Sequence, residues 1–523
     1  MSSSVDYSDV QGLVRFGFGK MTEACYILLN IKNAPAARAW LTSSPITTAI
    51  KLDPPPETAL QIAFTSHGLE ALGVPSNMIV GFSAEFIVGM AGEEDRSRRL
   101  GDTGTNSPSS WRWGGLGKVP HLVVMLFANP HLLEGWKRSV MDAAWNTAFE
   151  EIECLPTSDM GGREPFGFVD GISQPDIDWE QRREVSSNCD QLKYGNLVCL
   201  GEFLLGYSNE YGKYTDRPLL TPEDPGSEEL LEAEDHPGKK DLGLNGTYVV
   251  MRELQQDVRA FWQFLDKVAG SNPVERYKLA EALVGRGFSG GEPPVPLSKN
   301  PIPGVGTSDN QDKRKLDIER NQFTFDSDPA GTRCPLGAHI RRGNPRNADI
   351  PDDPKGLISH LIHRLGFGNT NPRADLIAST RFHRLLRRGR EYGRALTPEE
   401  ALQPAPPSDS QPGLHFVAVN SNIERQFEFV QNAWMMRTKF DGLTEESDPL
   451  LGNREAVRGC PFTSAFSLPK ENGVRRRVVD MPQFITVRGG AYFFLPSIRT
   501  LNYLSKIDGR VAAAKQTGVT DRD

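Results

Sequence analysis

Apolar residues recur along this 523-residue chain in short blocks, and the spacing within each block predicts its element. In the first half, Tyr26–Ile31, Leu60–Phe64, Leu122–Phe127 and Phe149–Leu155 are compact apolar runs of strand length. Between them, Ala36–Leu41 and Leu132–Ala148 carry helical spacing. The second half repeats the rhythm without repeating the sequence. Thr247–Met251 predicts a strand leading into a helix at Leu254–Val268, and Ser379–Leu386 and Leu414–Val419 are strand-like. Ile423–Met436 is amphipathic, and Phe484–Val487 with Ala491–Leu495 predicts two closing strands. Strands interleaved with helices imply an α+β architecture, a sheet with helices packed on it.

Turn formers divide the chain. Glu223–Lys240 is acidic and polar and predicts a surface loop. Gly290–Lys313 holds Pro293, Pro294, Pro296, Pro301 and Pro303, which excludes helix and central strand. Pro404–Pro412 predicts another exposed loop. The length exceeds that of a usual single domain. The expected organisation is an N-terminal domain over 1–160, a linker over 161–245 and a C-terminal domain over 246–523.

Composition narrows the classes. A hydrophobic share of 38% with 9% aromatics supports a true core, and 50 glycines with 38 prolines predict many loops. A net charge of −8, without a basic stripe or tail, argues against a nucleic-acid or anionic-membrane partner. The cysteines Cys25, Cys154, Cys189, Cys199, Cys334 and Cys460 show no CxxC or CxxCH, which disfavours zinc, iron–sulfur clusters and covalent c-type haem. Buried free thiols are expected. The first residues lack the basic and apolar regions of a signal peptide, and Leu122–Ala128 is too short to span a bilayer. A cytoplasmic protein is the expectation, with non-classical export left open.

Two segments carry candidate chemistry. Residues 331–346 read Gly-Thr-Arg-Cys-Pro-Leu-Gly-Ala-His-Ile-Arg-Arg-Gly-Asn-Pro-Arg, placing His339 just ahead of Arg341, Arg342 and Arg346. A neutral imidazole beside several guanidiniums suits an iron whose macrocycle bears acid groups. Upstream, Gly167-Phe168-Val169-Asp170-Gly171-Ile172-Ser173-Gln174-Pro175 sets an acid between two glycines. Together, and in this order, the two segments resemble the GxxDG and AHIRxxNPR motifs of the dye-decolorizing (DyP-type) haem peroxidases. Further blocks resemble the same family, among them Gly201–Tyr207, Ile423–Gln431 and Val487–Ser497, and the long loops resemble its larger fungal and cyanobacterial members.

The resemblance implies two ferredoxin-like domains, each an antiparallel sheet with helices on it, and a non-covalent haem b held mainly by the C-terminal one. It implies that His339 is the axial iron ligand; His360, His363, His383 and His415 are competitors that lack the AHIR context. Asp170 would move the proton of peroxide. Burial should raise its pKa and a nearby arginine lower it, and the sequence leaves the balance open. Leu385–Gly393 resembles the family's LRRGxxYG strand, so Arg387 is the expected distal cation. Strand alternation would place Arg387 with Leu385 and turn Arg388 away. The long interval after His339, with an apparent insertion over 350–371, departs from the family pattern.

Leu414 and Phe416 share a strand face and resemble the apolar pair capping the distal side, although they also read as ordinary core. Arg346 matches the propionate-pairing arginine. Asp448, with Asp441 as the alternative, is the expected carboxylate on the other nitrogen of His339. Tyr392 resembles a surface radical site, with a packing tyrosine or Trp434 as the other possibilities. The implied activity is reduction of hydrogen peroxide and one-electron oxidation of bulky aromatic donors such as dyes and phenols. The rival readings are a haem-dependent oxygenase or chlorite-cleaving enzyme, and a non-catalytic haem-binding protein.

Overall fold

Nine strands pair antiparallel into a single sheet in the computed structural model, which describes residues 4–182, 195–289, 320–321, 323–325, 328–346, 380–406, 410–470 and 473–507. In chain order they are β1 Glu23–Ile31, β2 Thr58–Phe64, β3 Leu122–Ala128, β4 Phe149–Pro156, β5 Thr247–Gln256, β6 Leu386–Arg387, β7 Arg390–Tyr392, β8 Gly413–Asn420 and β9 Ile485–Leu495. Across the sheet the order is β6-β8-β5-β9-β2-β3-β1-β4, with β7 also paired to β8. Each half runs fourth strand, first, third, second, which is the ferredoxin-like order, once β6 and β7, both paired to β8, are taken as one interrupted strand. The halves meet where β9 lies against β2 through Phe494 and Phe64. The expected two sheets are therefore one continuous sheet.

Both faces are covered. Cys25, Ile27 and Leu29 of β1 point into a layer shared with the helices α1 Ala34–Ser43, α2 Val258–Val268 and α3 Pro273–Val284. Ala24, Tyr26 and Leu28 point into the opposite layer, packed by the N-terminal residues Val10, Leu13 and Val14 and by Phe203 and Leu204. Burial on both faces explains why these strands read as unbroken apolar runs rather than as alternation.

Several element boundaries differ from the sequence expectation, each for a local reason. The stretch Leu132–Ala148 is two helices, Leu133–Val140 and Ala143–Ala148, because the Asp142 side chain accepts the Trp145 N–H and starts a second one. Residues 254–256 belong to β5 rather than to α2, which begins after Asp257 caps Ala260. Within Ser379–Leu386, Thr380–His383 is a 3₁₀ turn and only Leu386 is strand. The two closing strands are one: Gly489 and Gly490 are not a turn but an irregular step in β9 where the indole of Trp113 lies. A Cβ on Gly489 would come within 2.5 Å of that ring. Ile423–Glu428 and Val430–Met436 are π-helical, a form frequent at functional sites.

Glu223–Lys240 is mostly irregular, as expected. Cys189, the Pro-rich 290–313, the insertion 350–371, His360 and His363 lie outside the described residues, as does part of 404–412. Cys25, Cys154, Cys199, Cys334 and Cys460 are free thiols. Among the described residues no helix is long and apolar enough to cross a membrane.

Candidate active site

A cavity of about 260 Å³ opens beside the second-half strands. Leu254, Leu414, Phe416, Ile485 and Val487 of β5, β8 and β9 form its sheet wall, the loop Phe168–Pro175 a second wall, and α4 His339–Gly343 a third. His339, Asp170, Arg387 and Arg346 all line it. Chain segments far apart in sequence thus converge on one space.

His339 begins α4, right after a turn in which the Ala338 N–H donates to the Pro335 carbonyl. Its Nδ1 lies 3.0 and 3.1 Å from the two carboxylate oxygens of Asp448. With the Nδ1 proton donated there, Nε2 is the lone-pair nitrogen. Asp448 is fully buried and is itself fixed by the Leu450 and Leu451 N–H groups at 2.9 and 2.7 Å. Burial alone would neutralise both members. Their mutual attraction outweighs it, raising the His339 pKa and lowering that of Asp448. Asp441, the alternative carboxylate, is exposed.

Asp170 faces the same cavity from the loop, and Arg387 reaches it from β6. The guanidinium donates to the Asp170 Oδ1 at 2.8 Å. Burial pushes the Asp170 pKa up, but Arg387 and the Gly171 N–H push harder, and the carboxyl is held below its usual range. Each side chain keeps roughly a third of its surface accessible (31% and 32%), so the pair is not sealed from small molecules. Alternation places the neighbours as expected: Leu385 lines the cavity, while Arg388 donates to the Leu13 and Val14 carbonyls on the other face.

Leu414 and Phe416 lie side by side on the cavity wall. His415 between them points away, donating from Nε2 to the Pro156 carbonyl at 3.0 Å; burial pulls its pKa down to about 4. Tyr392 is half-buried and stacked on His415, ring centres 4.4 Å apart. Trp434 is buried beneath Phe429 and His383 instead of at the surface.

The three arginines after His339 separate. Arg341 and Arg342 do not line the cavity. Arg341 donates to the Asp328 and Cys334 carbonyls, and Arg342 to those of Trp434, Arg437 and Glu446. Only Arg346 faces the cavity. Its backbone is left-handed, φ +59°, a conformation held by donation to the Asn321 and Phe323 carbonyls and the Asn321 side chain.

Residues that sequence reasoning passed over complete the site. Gln174 bonds the Arg387 backbone at both N–H and carbonyl, 3.0 and 3.2 Å, and so ties the acid loop to the strand carrying the cation. The Ser173 hydroxyl accepts from Arg286 and Arg346. Both lie inside the Gly167–Pro175 motif, so the signal was present. The Glu164 carboxylate accepts the Phe166 and Phe168 N–H groups and the Gln256 amide, bracing the turn that precedes Asp170. Burial pushes its pKa up to about 7.

No family model matches the chain. A dye-decolorizing peroxidase of Mycetinis scorodonius is 27% identical over 522 residues, spanning 96% of this chain and 88% of that protein. A fungal DyP-type peroxidase structure from Auricularia auricula-judae superposes with a TM-score of 0.68 at 23% identity, covering 96% of this chain and all of the other. A DyP-type peroxidase structure from Anabaena gives 0.66 at 24% identity, covering 95% and 94%.

Proposed function

We infer that this chain, which resembles the dye-decolorizing peroxidases over nearly its full length, is a haem peroxidase that reduces hydrogen peroxide and oxidises bulky aromatic donors in one-electron steps. The observation that carries this reading is the pairing of two charged couples on one cavity: His339 with Asp448, and Asp170 with Arg387. The surroundings suit a non-covalent haem b. The cavity is mainly apolar and carries more arginines than carboxylates for a macrocycle with two acid groups; of the two histidines that line it, His339 offers Nε2 for iron, whereas the competitor His383 is stacked on Phe429 with its Nδ1 on the Arg425 carbonyl.

Bound haem supplies the redox-active iron at which peroxide is cleaved and donors are oxidised. The protein's own contribution follows from its side chains. His339 would hold the metal through Nε2, the nitrogen left free by Asp448 on Nδ1, which fixes the tautomer and makes the imidazole more electron-rich. Asp170, kept ionised, takes a proton from one peroxide oxygen and returns it to the other as water leaves. Arg387 keeps Asp170 charged and stabilises negative charge developing on the departing oxygen. Leu414 and Phe416 narrow the cavity so that peroxide enters and large donors do not. Arg346 offers its guanidinium to a haem carboxylate. Large donors deliver electrons at the surface, and Tyr392 is the side chain we assign to that exchange. Residues 246–507 hold most of these groups, and 161–245 contributes Asp170.

The test is an absorption spectrum of the purified protein before and after one equivalent of peroxide, followed by addition of an anthraquinone dye. A Soret band that shifts with peroxide and returns as the dye bleaches is expected. A haem spectrum unmoved by peroxide, with no dye loss, would reduce the protein to haem binding without peroxidase chemistry.

A further inference from the structure

Away from the cavity, two thiols and an amine meet on the first half of the sheet. Cys25 of β1 and Cys154 of β4 both belong to the helix-covered layer, Cys25 buried within it and Cys154 half-buried against it. Pro156 stands opposite Cys25 and Ile27 opposite Cys154, so the two cysteines are diagonal neighbours on one face. β4 is the last strand of the sheet, and β2, β3 and β1 separate it from the strands that wall the cavity. Neither cysteine lines that cavity.

Lys137 supplies a cation from the helix Leu133–Val140, and its Nζ donates to Cys154 Sγ at 3.4 Å. Leu133, Trp136 and Val140 dock this helix on the same layer. Lys137 shares their helical spacing, so an amine occupies the place where a further apolar residue would complete the docking stripe.

The two sulfurs differ in charge. Cys154 accepts the Cys25 S–H, and that bond, joined by Lys137, outweighs burial and the Glu151 charge and pulls the Cys154 thiol down to about 6. The same bond and burial push Cys25 up, with Glu134 acting in the same direction and Lys137 against it. One sulfur carries the charge and its neighbour the proton. A partly exposed thiolate beside a cation is the form of cysteine that attacks electrophiles, whereas Cys334, which burial pushes up to about 12, is inert by comparison.

We propose that Cys154, activated by Lys137, is a second peroxide-reacting centre of this protein, one that works through sulfur and is oxidised to a sulfenic acid. It does not depend on the haem-binding reading. The thiolate attacks one oxygen of hydrogen peroxide: an S–O bond forms, the O–O bond breaks, and two electrons pass from sulfur to peroxide. The departing hydroxide takes a proton from the Lys137 ammonium and leaves as water. Strand register sets where the reaction stops. Diagonal neighbours have Cα atoms about 7–8 Å apart, and a disulfide needs a separation below about 7 Å. The sulfenic acid therefore persists beside Cys25 instead of condensing with it.

The experiment uses the folded full-length protein as wild type, Lys137→Met and Lys137→Arg. Iodoacetamide alkylation is followed across pH by peptide mass spectrometry, which reads each cysteine separately. In wild type the rate at Cys154 should reach half its maximum well below the free-cysteine value of about 8.5, with Cys25 unlabelled. Lys137→Met should move that midpoint up by about one pH unit or more, and Lys137→Arg, which keeps the charge, should restore it. In a second arm, peroxide is added with dimedone, which traps sulfenic acids. Adduct should accumulate on Cys154 and, at pH 6, form about fivefold or more slowly in Lys137→Met. Lys137 lies away from the cavity, so any bound haem competes for peroxide equally in both proteins. A wild-type Cys154 that alkylates like a free thiol, a midpoint unmoved in Lys137→Met, or the absence of dimedone on Cys154 would each overturn the site. A Cys25–Cys154 disulfide in place of the adduct would overturn the sulfenic acid as its product.

Discussion

At the scale of single residues, the site is an exercise in opposing terms. Burial favours a neutral Asp170, and the guanidinium 2.8 Å away reverses that preference. The sign follows: Asp170 accepts a proton only while ionised, so peroxide cleavage is lost as pH falls through its pKa, which lies below the ordinary carboxylate value. Removing Arg387 takes away the cation and lets burial prevail. In a stopped-flow pH profile of peroxide consumption, Arg387→Leu should therefore move the acid limb to higher pH, and an unmoved limb would disconnect the pair. Asp170→Asn, which cannot take up the proton, should slow the same step by about 10²–10⁴-fold with haem retained. His339→Ala leaves the cavity without its imidazole and should yield apoprotein or weakly held haem, seen as a lost or shifted Soret band. Wild-type haem content in that variant would put the ligand elsewhere.

At the scale of elements, the distal cation is a product of strand geometry and the axial histidine of helix anchoring. Arg387 and Arg388 differ only in which face of the sheet they meet, and one residue of register slip would exchange them. α4 has just five residues and little stability of its own. Arg342 holds it, spanning from α4 to the carbonyls of Trp434, Arg437 and Glu446, around the π-helical end and the segment leading to Asp448. This arginine therefore sets the distance between His339 and its carboxylate. Arg342→Met removes the three hydrogen bonds to these carbonyls and should cost at least about 2 kcal/mol of stability. Thermal melts of the holoprotein should fall and haem loss should accelerate together. A variant that melts like wild type would show that α4 is held by other contacts.

At the scale of the whole molecule, the sheet is both scaffold and partition. Its one face bears Leu414 and Phe416 on the cavity, and its other bears His415 and Tyr392. The thickness of one strand separates the site of peroxide cleavage from a half-buried phenol, whose pKa burial raises, so that it stays protonated. If electrons from bulky donors cross there, Tyr392→Phe preserves the stack on His415 but raises the cost of oxidising the ring. Turnover of anthraquinone dyes should fall while peroxide cleavage and oxidation of small phenols stay near wild type. Equal rates on both donor classes would return Tyr392 to a packing role.

How much of this was legible in the chain depends on the range of the interactions involved. The strand runs, the α+β class and the segments bearing His339 and Asp170 were readable, because each is encoded in contiguous residues. So was the direction of Arg387 and of His415, since alternation along a strand is a local rule. Three things were decided only in three dimensions. The fusion of two sheets depends on Phe64 meeting Phe494, and no local pattern announces a pairing of strands so distant in sequence. The fates of Arg341, Arg342 and Arg346, alike in sequence, were set by which carbonyls surround them after folding. Arg286 shows the same limit: its neighbours in the chain are glycines, and only the fold brings it to the Ser173 hydroxyl on the wall of the cavity. Local sequence sets backbone conformation and facing, whereas desolvation and charge pairing depend on everything that packs around a group.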